Sequence, residues 1–148
     1  MAVATFNKFN SFVEHLAEKV HNLGADTLKV YLTATAPNGT TMAVKADLSE
    51  TLTTTGGYTV GGATAAITSS AQTGGTYKLV LGDPPTWTAS GAGFSGAFRY
   101  AVLYNDTPTS PADPLIGWWD NTTNVTLTVG QQFTVDFDPT AGVLTIGP

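Results

Sequence analysis

Residues 97–104 constrain this chain more than any other stretch. Apolar side chains fall on both alternating sets of a two-residue period, with Phe98, Tyr100, Val102 and Tyr104 on one side and Ala97, Arg99, Ala101 and Leu103 on the other. A strand with two largely apolar faces must be covered on both, so the pattern predicts a central strand. Such a strand needs partners, and the sequence supplies them. Leu28, Val30 and Leu32 alternate with Lys29, Tyr31 and Thr33 and lead to the turn-forming Pro37-Asn38-Gly39. Residues 64–72 and 76–81 flank Thr73-Gly74-Gly75 and read as a hairpin. Further runs at 115–119, 124–129, 133–137 and 143–146 complete the set. Asp83-Pro84, Asp113-Pro114 and Asp138-Pro139 punctuate the strands, because proline cannot continue a central ladder and aspartate bonds the adjacent backbone.

The segment before Thr27 has a different period. Phe9, Phe12, Val13, Leu16, Val20 and Leu23 follow the three-and-four spacing of one helical face, which predicts an amphipathic helix within residues 5–24. Thr5 or Ser11 would cap its start, and Gly24 would stop it. A second, short helical turn is expected in residues 46–54, with Asp47 as its cap. The expected architecture is mainly β: a β-sandwich or jelly-roll-like body of about eight short antiparallel strands with one N-terminal amphipathic α-helix. The 148 residues make one domain, 1–148, with the helix in 5–24 and the β-body in 27–148. A chain of this size buries about two-thirds of its unfolded surface and needs no staples.

Composition narrows the chemistry. The absence of cysteine removes disulfides, thiolate metal sites and cysteine nucleophiles together. Charged residues are 11% of the chain, against about 25% in an ordinary soluble domain, and twenty-six threonines make the expected surface hydroxyl-rich. Six basic and eleven acidic residues leave a net charge of −5, which gives no electrostatic footprint for a nucleic acid. No apolar run reaches the roughly 18 residues of a membrane span. The start lacks a charged segment followed by an apolar one, so the expectation is a chain without a secretory signal.

The candidate chemical groups are few. His15 and His21 lie six residues apart, which on one helix places them about 240° apart and prevents joint ligation of an ion. They read as solvated helix-face histidines. Asp136 and Asp138 share a strand face, and Asp120 could approach them; calcium binding or acid–base work would use such a group, while the simpler reading is the wet side of an edge strand. Gly56-Gly57-Tyr58-Thr59-Val60-Gly61-Gly62 lacks the Lys-Ser/Thr of a phosphate loop and reads as a flexible connection that orders on assembly. Trp118 and Trp119 are adjacent, so on a strand they face opposite ways and at most one lies in a given core. Contact with a partner or the helix is the leading reading, with core packing and sugar stacking as alternatives. No catalytic, cofactor or metal residues are assigned; the interface anchors expected are Phe6, Phe9, Phe12, Trp118 and Trp119.

The segments Phe6-Asn7-Lys8-Phe9-Asn10, residues 21–30, residues 98–106, residues 114–120 and the closing Phe133-Thr134-Val135-Asp136-Phe137-Asp138 together resemble a family of small structural proteins of tailed bacteriophages. The resemblance is one of overall pattern across nearly the whole chain and carries no catalytic motif. It implies a virion component that is assembled in the host cytoplasm and works without turnover or cofactor. The leading expectation is a capsid decoration (cement) protein bound to the major capsid protein, used as a homo-oligomer, trimer or dimer. A tail, baseplate or fibre-associated component contacting the host surface through a glycan is the alternative. A hydrolase using Asp120, Asp136 and Asp138 is the third.

Overall fold

The computed structural model describes residues 3–147. Among the described residues, ten strands form three antiparallel sheets and one α-helix lies near the N-terminus, a mainly β, sandwich-like body. The largest sheet is ordered β1 (Asn7–Lys8), β8 (Leu115–Val125), β7 (Phe98–Asn105), β2 (Leu28–Thr33), β3 (Ala63–Thr64). The strand with two apolar faces, β7, is its middle strand, as the period-two pattern requires. A three-stranded sheet is ordered β10 (Leu144–Ile146), β5 (Thr76–Leu81), β4 (Ile67–Thr73). The short strands β6 (Trp87–Thr88) and β9 (Gln132–Phe133) pair with each other.

The core is split by the large sheet. On one face Leu28, Val30, Leu32, Ala101 and Leu103 join Leu79 and Leu81 of β5, Phe94, Trp87 and Phe137. On the other, Tyr31, Val102 and Tyr104 join Phe9, Leu48 and Leu115 under the connection after β2. Two irregularities break strict alternation. Leu103 pairs with Gly117 and Tyr104 with Leu115, so Ile116 is an extra residue in β8 and turns to the first core while Leu115 turns to the second. Between Phe98 and Tyr100 the ladder slips again, and Phe98 joins the Ala101–Leu103 side instead of sharing a face with Tyr100.

The helix is shorter than its apolar spacing indicates. Residues Phe6 to Lys8 are extended, with Asn7 and Lys8 paired to Trp118 and Gly117, and α1 spans Asn10–Ala17. Neither Thr5 nor Ser11 caps it; Phe9 occupies the N-cap without a side-chain bond. Its end comes at Lys19 and not at Gly24. Lys19 takes the left-handed conformation (φ 65°), and the amides of Lys19 and Val20 donate to the carbonyls of Leu16 and His15, which is a Schellman closure made without glycine. The helical turn expected in residues 46–54 with Asp47 as its cap is instead a 3-10 turn at Lys45–Asp47 with Val44 at its N-cap, and the Asp47 carboxylate, at the end of the turn, reaches back to accept from the amides of Ala43 and Val44. The 64–72 run divides: β3 joins the large sheet and β4 the small one. Conversely, runs 115–119 and 124–129 are bridged by the single strand β8, and of 133–137 only the start is strand.

Candidate interaction surface

The tryptophans do face opposite ways, and the N-terminal segment is the reason neither stands alone. Phe6 packs on Trp119 with ring centroids 5.1 Å apart, and Phe9 packs on Trp118 at 4.6 Å. β8 therefore runs between the two phenylalanines, each covering one indole. Residues three apart on a helix would share a face; only an extended backbone lets Phe6 and Phe9 straddle a strand. Gly39 lies so close over Trp118 that an added Cβ would meet the ring at 2.9 Å, and Gly117 lies so close to Phe6 that a Cβ there would collide with it.

This geometry sorts the five expected anchors. Phe9 is fully buried and Phe12 is 3% exposed, so both belong chiefly to the molecule's own core. Phe6, Trp118 and Trp119 are half-buried. Phe6 and Trp119 border an open groove of about 950 Å³, with Phe133, Val135 and Phe137 as its apolar lining and Arg99, Gln132 and Asp136 among its polar residues. Phe137 packs on Trp119 with ring centroids 5.3 Å apart, so the indole contacts two rings of its own chain, Phe6 and Phe137.

The carboxylates take separate roles. Asp120 forms a two-pronged bond with Arg99 at 2.7 and 2.8 Å, which holds its carboxyl below the usual carboxylate range. Asp138 accepts from the amides of Ala141 and Thr140 and is held low for that reason; Asp136 is exposed. Among the described residues no three His, Cys, Asp or Glu side chains gather into a metal site. No helix among them is long and apolar enough to cross a membrane.

Two polar clusters escape the sequence reading. The first is the histidine pair, which is not solvated: because the chain turns at Lys19, His21 folds back to within 5.8 Å of the His15 ring and is only 5% exposed. Its Nδ1 meets the Asn105 amide nitrogen at 3.2 Å, while Nε2 of His21 and Nδ1 of His15 are buried without partners. Burial, then the neighbouring His15, lowers the His21 pKa from 6.5 to about 4, and Asp26 opposes them.

The second is centred on Glu50. Its carboxylate accepts from the Tyr58 hydroxyl and the Gly61 amide and pairs with Lys45 at 2.7 Å. The Lys45 ammonium in turn lies over the Tyr31 ring at 5.0 Å. The glycine-rich segment expected to be flexible is the frame of this cluster. Gly56 and Gly57 have positive φ and touch the backbone of Gly93 and Thr88, Tyr58 is 2% exposed, and its hydroxyl also accepts from the Leu32 amide. The signal available in the sequence was a single tyrosine between two Gly-Gly pairs, since glycines at a tight turn let backbone approach backbone and bury what lies between.

No protein-family model, no curated protein and no solved structure matched this chain.

Proposed function

We propose that this chain is a non-enzymatic bacteriophage virion structural protein, a capsid decoration or cement protein that stabilises the head by binding across capsid subunits. The pattern resemblance to small tailed-phage structural proteins supplies the class. The observation that carries the reading further is the largely apolar groove with Phe6 and Trp119 in its wall. Lys29, Lys45 and Arg99, half of the six basic residues, are tied into ion pairs with Asp106, Glu50 and Asp120. What remains on the surface is dominated by hydroxyls and small side chains, which can be brought against a protein neighbour at low desolvation cost. Burial of the groove wall by a capsid subunit would stabilise the assembled state by mass action alone, with no bond made or broken.

The test is addition of the purified chain to heads of the encoding phage from which it has been removed. Saturable binding that raises the temperature at which heads release their DNA is the expected result. The substitution Asp136→Arg, at an exposed position in the groove, should weaken that binding while leaving the fold intact. Heads that neither bind the chain nor gain stability from it would refute the reading.

A further inference from the structure

Five of the six outer strands of the three sheets are two or three residues long: β1, β3, β6, β9 and β10. The sixth, β4, has seven residues and, among the described residues, no strand paired on its outer side. Its hairpin with β5 has Thr73 opposite Thr76, with Gly74 and Gly75 as a two-residue loop, both at positive φ. The residues flanking such a loop bond each other, so bonding alternates back along the strand, and the N–H and C=O groups of Gln72 and Ser70 point away from β5. The β5 side agrees: the carbonyl of Leu79, opposite Ser70, is used by Val143 on the far side.

Exposed edges are normally blocked by charge, proline or a bulge. The sequence Ile-Thr-Ser-Ser-Ala-Gln-Thr has neither charge nor proline, and its bulge is confined to Ile67–Ser69 at the base of the hairpin. Lys78, directly across from Ala71, donates to the Thr140 carbonyl and so turns its charge away. On a molecule of net charge −5, this neutral edge is where two copies approach with least repulsion.

The geometry points to β4 as the contact between two copies of this chain, paired antiparallel across a twofold axis. With Ser70 of one copy opposite Gln72 of the other, the free groups form four backbone hydrogen bonds and Ala71 crosses Ala71 on the axis. An alanine suits that position, because side chains stand closest at a non-bonded pair. The two three-stranded sheets become one of six strands. Such a contact is isologous and closes on itself. It stands whether or not the chain is a virion component, and its test needs no phage particle.

Sedimentation equilibrium should give a concentration-dependent mass approaching two chains. Gln72→Pro removes one outward N–H that the molecule's own sheet does not use, and Ala71→Lys places like charges on the axis. Both should shift the protein to monomer with unchanged circular dichroism. Because the chain has no cysteine, Ala71→Cys adds a single thiol that should oxidise to a covalent dimer, whereas Val129→Cys, also exposed, should not. A monomer at every concentration overturns the inference. So does a dimer that survives Ala71→Lys and leaves Ala71→Cys uncrosslinked, since pairing would then use another surface.

Discussion

His21 shows how a single turn residue decides the chemistry of its neighbours. Lys19 in the left-handed conformation ends the helix and sends His21 inward beside His15 and Asn105, whose amide also reaches Asp26. A buried histidine with a lowered pKa is neutral in the fold, so the unfolded chain binds more protons between 6.5 and about 4. Stability is therefore complete above the unfolded value and falls as the pH drops through that window. Between pH 7 and pH 5 the loss should be about 2 kcal/mol. Urea unfolding at the two pH values checks it, and His21→Gln should abolish most of the difference. The held-low carboxylates of Asp47, Asp120 and Asp138 titrate further down and do not produce it. An unchanged free energy from pH 7 to pH 5 would mean that His21 is hydrated in solution. From the sequence, this histidine was legible only as one side of a helix, because nothing in its spacing marks a lysine as a helix stop.

At the level of elements, the period-two runs read well and the helical run read too long, for one physical reason. Strand β2 and the interior of β7 show their faces directly because both faces are largely buried, and β5 does so through Leu79 and Leu81 in the main core. Apolar residues at Phe6, Phe9 and Phe12 satisfy helical spacing equally well, yet the structure uses Phe6 and Phe9 on opposite sides of β8 and Phe12 beside His21. Spacing along the chain cannot reveal which partner strand lies between them. The same limit hid Ile116, whose bulge reverses alternation without altering composition. The segment is thus part of the body rather than a free clamp, and Phe9→Ala should cost about 4 kcal/mol because the ring is fully buried against Trp118. Chemical denaturation of the isolated protein measures this. A cost near zero would show that the N-terminal segment is detached in solution and available to a partner.

For the whole molecule, the expected mainly β, sandwich-like body with one helix near the N-terminus is the architecture found, while the expected interface anchors fall at different places in it. Of five expected anchors, Phe6 and Trp119 meet at an open groove, Trp118 is covered by Phe9 near Gly39, and Phe9 and Phe12 serve the core. Aromatic residues announce burial without saying whether the burying surface belongs to the same chain, and that ambiguity is resolved only by the fold. A charge-poor body with a largely apolar groove and an uncharged strand edge fits the proposal that the chain packs among protein neighbours. The most direct test of the proposed virion role is quantitative mass spectrometry of purified heads and purified tails from a phage that carries the gene, scaled to the major capsid protein. A decoration protein would be found on heads, in numbers comparable with the capsid protein itself. A few copies confined to tails, or absence from both, would contradict that role.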